Sequence, residues 1–138
     1  MNLMKPYEIL EHKADLKIRA FGKTKKELFS NMLKGMISGL QPEILNLETG
    51  TQNIEIKSPD LESLLVDFLS EVLYSIQVNK EIYIDIKFKK LLDTELEGEL
   101  IGRKVQRFGE DIKAATYHEL KIEQKEDKNW EATVLFDI

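Results

Sequence analysis

Between two apolar-alternating runs the sequence ILEHKADLKI, residues 9 to 18, places a polar knot of Glu11, His12, Lys13, Ala14 and Asp15. At the other end of the chain Asp137 directly precedes the last residue, Ile138. The chemistry these residues could do is that of clustered carboxylates. Two carboxylates about 4 Å apart repel by roughly 4 kcal/mol at an effective dielectric of 20, so a bare cluster takes up protons or binds a positive charge. Oxygen donors of this kind favour Ca²⁺ or Mg²⁺ over zinc or copper. With three protein ligands and water completing the shell, Ca²⁺ would be held no better than about 10⁻⁴ to 10⁻³ M. The competing reading is that Asp15, standing before a strand, is an Asx-turn residue and that the terminal carboxylate is simply solvated.

Strand parity decides where these groups point. In the run after the knot, Leu16, Ile18 and Ala20 face one way and Asp15, Lys17 and Arg19 the other. In the final run Trp130, Ala132, Val134 and Phe136 share a face, leaving Asp137 on the opposite one. If the first hairpin and the last strand are neighbours, Asp15, Asp137 and the α-carboxylate of Ile138 converge.

The elements that would hold them can be read along the chain. Tyr7 to Leu10 and Leu16 to Phe21 suit two strands of a hairpin joined by the knot. Thr24 with Glu27 three residues later is a capping-box signature, followed by Leu28, Met32, Leu33, Met36, Ile37 and Leu40 at helical spacing, ending near Gly39 and Pro42. After a loop through Gly50, TQNIEIKS predicts a strand, and Ser58 with Pro59 predicts the cap and first residue of a second helix. Its stripe of Leu61, Leu64, Leu65, Phe68, Val72, Leu73 and Ile76 is the strongest periodic signal in the sequence. Ile82, Ile84, Ile86 and Phe88 alternate with polar residues and predict a strand over 81–89. Gly98 and Gly102 break the region 91–111, which reads as an irregular, exposed strand. AATYHELKIEQ and WEATVLFDI flank the polar turn KEDKN and predict a terminal hairpin. The order β-β-α-β-α-β-β-β-β predicts a single α+β domain over 1–138, two helices packed on mostly antiparallel sheet.

Composition narrows the function. There is no Cys among the 138 residues, which excludes disulfides, thiolate metal sites and a cysteine nucleophile. A net charge of −5 opposes a protein whose main task is coating nucleic-acid phosphates. The basic clusters KTKKE, KFKK and GRKVQR are interleaved with acids and read as solvated faces. The N-terminal residues lack the features of a signal peptide and no apolar run approaches the roughly 18 residues of a membrane span, so the expectation is a soluble, cytoplasmic protein without membrane contact. No nucleophile elbow, phosphate loop, dinucleotide fingerprint or zinc-spaced His pair is present. His12 reads as a turn histidine or a proton carrier. His118 shares its strand face with Leu120 and Ile122 and reads as a core histidine. Asp67 and Glu71, four apart, read as an ordinary solvated helix face.

Four blocks in order, YEILEHKADLKIRAFGKTKKELFSNM, LESLLVDFLSEVLY, DIKAATYHELKI and WEATVLFDI, resemble the archease family nearly end to end. Archeases are small accessory proteins of the GTP- and metal-dependent RNA ligase of tRNA splicing and repair, which is guanylylated on a histidine. The resemblance implies that this chain is not an enzyme but an activator that promotes guanylylation and multiple turnover of that ligase, touching RNA only through the complex. It also implies a divalent-metal site at Asp15, Asp137 and Ile138, with Lys113 and His12 as residues of partner activation. Lys13 stands where the family usually has threonine, and RKVQRFGE departs from the family's run before the lysine block. The alternative is a general chaperone-like modulator of RNA-modifying enzymes whose metal site is purely structural.

Overall fold

The computed structural model describes residues 5–12 and 14–138, and of residues 11, 12, 46 and 47 the backbone only. Seven strands and two helices follow the predicted order: β1 (Tyr7–His12), β2 (Asp15–Gly22), α1 (Lys25–Leu40), β3 (Pro42–Lys57), α2 (Leu61–Asn79), β4 (Glu81–Leu92), β5 (Glu95–Phe108), β6 (Ala114–Gln124) and β7 (Trp130–Asp137). One antiparallel sheet has the order β1-β2-β7-β6 and the other β3-β5-β4. The helices lie between them. α1 packs on β2, β1 and β7 to one side and on β4 to the other, while α2 packs on β6 and on the β3-β5-β4 sheet.

This sandwiched position explains why the helices are apolar beyond a single stripe. In α1, Phe29, Gly35 and Gly39 are buried as well as the predicted Leu28, Met32, Leu33, Met36, Ile37 and Leu40. Gly35 and Gly39 sit one turn apart against β2, where an added Cβ would lie 2.9 Å from Ile18 Cγ2 and 2.6 Å from Leu16 Cδ2 respectively. The inward row of β2 can therefore press directly on the helix backbone. Phe29 and Phe68 stack across the two helices with ring centroids 5.9 Å apart.

Helix starts follow the expected chemistry with two adjustments. Thr24 Oγ1 accepts from the Glu27 N–H at 3.1 Å, but the Glu27 carboxylate reaches back to the N–H of Lys23 rather than that of Thr24. α2 is capped not by Ser58 but by Asp60, whose Oδ1 accepts from the Ser63 N–H at 2.7 Å. That bond holds the Asp60 carboxyl below its ordinary value. Ser58 is free to donate to Asp67 Oδ2 instead, at 2.6 Å.

Three readings of the middle of the chain are corrected. The presumed loop through Gly50 belongs to β3, which leaves its partner only between Ile44 and Thr49; an edge strand can make such an excursion because its other side has no ladder to keep. Region 91–111 contains β5, the central strand of its sheet, with Leu96, Gly98, Leu100 and Gly102 buried in alternation. Its glycines admit close neighbours: a Cβ on Gly98 would stand 2.6 Å from the Lys87 carbonyl oxygen. In β4 the strict alternation slips at two register shifts, so Tyr83 is fully buried beside Ile82 while Ile84 is only partly covered.

A staple joins the layers at the far end of the fold from Asp15. Lys25, in the first turn of α1, pairs with Asp93 Oδ1 in the β4–β5 turn at 2.5 Å and lies 5.3 Å from the centroid of the Trp130 ring at the start of β7.

Candidate functional site

β2 and β7 pair antiparallel without a bulge, from Gly22 opposite Trp130 to Asp15 opposite Asp137. The unbroken register preserves the parity of both strands. Leu16, Ile18, Ala20, Ala132, Val134 and Phe136 are buried against the helices, and the alternate residues face outward. Asp15 and Asp137 are thus directly opposed on the outer face, at the end of the sheet. Side chains so opposed have Cβ atoms about 5 Å apart, near enough for one cation to touch both carboxylates and for the bare pair to repel.

The expected hairpin is present, with both strands extending into the knot. β1 continues to His12, opposite Leu16, and β2 begins at Asp15, so Asp15 is a paired strand residue rather than a residue of the connection. The His12 side chain and the whole of Lys13 lie outside the described residues, and with them the role expected of His12. On the other flank β6 pairs with β7, Ala114 opposite Asp137, and the N–H of Lys113 donates to the Asp137 carbonyl at 2.8 Å. Lys113 is exposed and, with Ala114, borders a notch against α2. Ile138 is half-buried and packs on the core, which fixes the end of β7.

Among the described residues no ion pair includes Asp15, Asp137 or Lys113. The next outward residue of β2, Lys17, is engaged 3.3 Å away by Glu119. That ion pair reaches from β2 to β6 across β7, where Leu135, although on the outward row, is only 7% exposed. No group of three or more His, Cys, Asp or Glu side chains comes together among the described residues. Asp15 and Asp137 would thus offer a cation two side-chain carboxylates among the described residues. Such a set fits a weakly held, hard divalent cation and does not fit a transition metal that needs nitrogen or sulfur.

Two sequence-level expectations change here. His118 is exposed, not in the core: between Thr116 and Lys121 the β6–β7 register shifts, and Glu119 takes a left-handed φ of 58°, which reverses the parity on which the core assignment rested. Asp67 is more than a solvated helix residue, since its Oδ1 accepts from the Tyr117 hydroxyl at 2.8 Å while its Oδ2 accepts from Ser58. Nothing in the local sequence signals this link, because Tyr117 lies 50 residues away in the irregular part of β6. Chiefly because of the bond to Asp67, with burial and the charges of Asp67 and Asp60 adding, the Tyr117 hydroxyl is raised above its ordinary 10.0. The link thus contributes stability that is fully present below pH 10.0 and is lost as pH rises through the higher folded-state value. Tyr117→Phe is expected to cost about 1 kcal/mol near neutral pH and to flatten the alkaline fall in unfolding free energy, measured by urea titration at several pH values.

The basic clusters are largely neutralised by their neighbours. Lys89 pairs with Glu97, Lys90 with Glu95, Lys104 with Glu81 and Arg107 with Glu43. They form cross-strand ties rather than a continuous basic surface.

Fold and site together define a helix-filled two-sheet domain with a carboxylate pair, half-buried Asp15 beside exposed Asp137, where β2 and β7 end. The archease protein family (MTH1598/TM1083) matches residues 7–138. The chain is 37% identical to the protein archease of Methanosarcina barkeri over 142 aligned residues, covering 97% of each chain, and 32% identical to that of Pyrococcus furiosus, covering 98% of this chain and all of the other. It is similar to the solution structure of Methanobacterium thermoautotrophicum protein 1598, with a TM-score of 0.70 and 26% identity over 98% of this chain and all of that one. It is also similar to the crystal structure of an archease, described as a possible chaperone, from Thermotoga maritima, with a TM-score of 0.67 and 25% identity over all of this chain and 99% of that one. This chain belongs to the archease family.

Among the described residues no helix is long and apolar enough to cross a membrane.

Proposed function

We propose that this chain is an accessory protein of the RNA ligase that acts in tRNA splicing and repair, raising the guanylylation of that ligase and its number of turnovers, and that it works in the cytoplasm. The observation that carries this reading is the pairing of Asp15 with Asp137 across β2 and β7. It gives a member of this family a two-carboxylate platform on its surface, open to a partner. With the terminal oxygens of Ile138, Asp15 and Asp137 would hold a divalent cation, Ca²⁺ foremost and Mg²⁺ or Mn²⁺ as alternatives. When bound, the cation supplies positive charge that phosphate or carboxylate oxygens of the partner can share. The chain's own residues do the positioning: the β2–β7 ladder aligns the two aspartates, and the Lys113 N–H holds the Asp137 backbone. Neither aspartate is joined by a nucleophile–base pair among the described residues, which favours an accessory role over a stand-alone hydrolase.

The test is purified ligase with GTP and broken tRNA, assayed with and without catalytic amounts of this protein. Increased ligase guanylylation and more ligations per enzyme are expected; no gain in a cognate pair would end the proposal. A second reading, a chaperone-like modulator whose metal site is structural, is supported by the description given to the Thermotoga maritima structure.

A further inference from the structure

Two residues along β2 from Asp15, Lys17 stands on the same outward face, with Glu11 of β1 and Leu135 of β7 opposite it in the ladder. Asp15 is therefore about 7 Å away along the strand and Asp137 is the diagonal neighbour across it, both within the span of a lysine's four-carbon stem. A lysine so placed is a ready counter-ion for the acidic pair, and its ammonium would take the point where a divalent cation is to bind. It is turned elsewhere. The ammonium crosses over Leu135 to lie 3.3 Å from Glu119 Oε2, and among the described residues no ion pair joins it to Asp15 or Asp137. The place of Glu119 is set by an irregularity of β6. Tyr117 to Leu120 lie between two paired positions, Thr116 and Lys121, where β7 has only Val134. Within this bulge Glu119 takes a left-handed φ of 58°, which a residue with a Cβ adopts at a cost. Bulges beside functional sites commonly re-aim a side chain. This one sends the Glu119 carboxylate back over β7 to Lys17.

We propose that Glu119 is a positioning residue: by holding the Lys17 ammonium across β7 it keeps that ammonium off Asp15 and Asp137 and so leaves the pair open to a divalent cation. This role rests on the reading above that the two aspartates bind such a cation. Charge is what the role requires. Paired, Lys17 and Glu119 cancel one another; with Glu119 neutral, Lys17 is a free positive charge well within a Debye length of both aspartates. It then competes with the cation for the same oxygens. Shielding Leu135, which the two side chains also do, needs their apolar stems but not their charges.

The experiment reads Ca²⁺ affinity from the rise of melting temperature over a Ca²⁺ series, for the unaltered chain, Glu119→Gln, Lys17→Met and Lys17→Met/Glu119→Gln. Glu119→Gln is expected to bind Ca²⁺ about fivefold more weakly, the scale of one partly exposed ion pair, with its cation-free melting temperature little changed. Lys17→Met, which keeps an apolar stem over Leu135, should bind at least as tightly as the unaltered chain. In that background Glu119→Gln should cost nothing further, because there is no ammonium left to release. Equal affinity of Glu119→Gln and the unaltered chain overturns the clamp and leaves the cation site standing. An equal loss from Glu119→Gln with and without Lys17 makes Glu119 a mere contributor of negative charge and also overturns the clamp, as does weaker binding by Lys17→Met alone. An unaltered chain that Ca²⁺ does not stabilise overturns the cation site itself and the clamp with it.

Discussion

Asp15→Asn and Asp137→Asn are each expected to lower the stimulation of ligase guanylylation at least tenfold, while the isolated protein, freed of divalent cations, melts at the same temperature or a few degrees higher. The two signs follow from one geometry. Like charges directly opposite on neighbouring strands destabilise by about 0.2–1 kcal/mol, and water reaching this partly exposed pair keeps the penalty below the roughly 4 kcal/mol that two charges 4 Å apart would feel at a dielectric of 20. Removing one charge relieves that penalty, which for a domain of this size raises the melting temperature by a few degrees at most. Asn keeps the shape of Asp while replacing one acceptor oxygen with an NH2 donor, and the main-chain pairing of Asp15 with Asp137 does not depend on either side chain. A purely structural metal site predicts stimulation intact and, only with the cation present, a melting temperature below that of the unaltered protein. Guanylylation assays, with thermal melts in the presence and absence of the cation, separate the two.

Phe68→Ala is expected to cost about 3–5 kcal/mol. Phe68 has no exposed surface, sits in the helix layer between the two sheets and stacks on Phe29 with an interplanar angle of 27°. Neither sheet can follow the lost ring inward without abandoning the other, so much of the cavity should persist. Set against a typical total of about 5–15 kcal/mol, the change should bring the protein close to unfolding. Urea titration measures it, and a loss below about 1 kcal/mol would mean that the helix layer is not the shared core described here.

The parts of the fold legible in the sequence are those whose period is undisturbed. The α2 stripe from Leu61 to Ile76, the α1 cap at Thr24 and the two strands β2 and β7 all run without a shift, so counting residues places their side chains correctly. Parity alone sends both Asp15 and Asp137 outward. Their adjacency is another matter, because the order β1-β2-β7-β6 joins strands from opposite ends of the chain and no local pattern encodes that choice. The misread regions share one physical cause, a local break in the two-residue repeat. Register shifts in β4 bury Tyr83, the irregular stretch of β6 turns His118 to solvent, and the excursion of β3 hides a long strand inside an apparent loop. Gly98 and Gly102 look like strand breakers along the sequence, but in the middle of a sheet they are places where neighbouring groups come close.

The most direct test of the paired carboxylates is the shift in unfolding free energy on adding Ca²⁺ to the isolated protein and to the Asp15→Asn and Asp137→Asn variants. With a Kd of about 1 mM, about 10 mM Ca²⁺ should stabilise the unaltered protein by about 1.4 kcal/mol. Each variant should lose most of that gain, because both oxygens are needed at one point. A full gain in either variant, or none in the unaltered protein, would contradict a common cation site at Asp15 and Asp137.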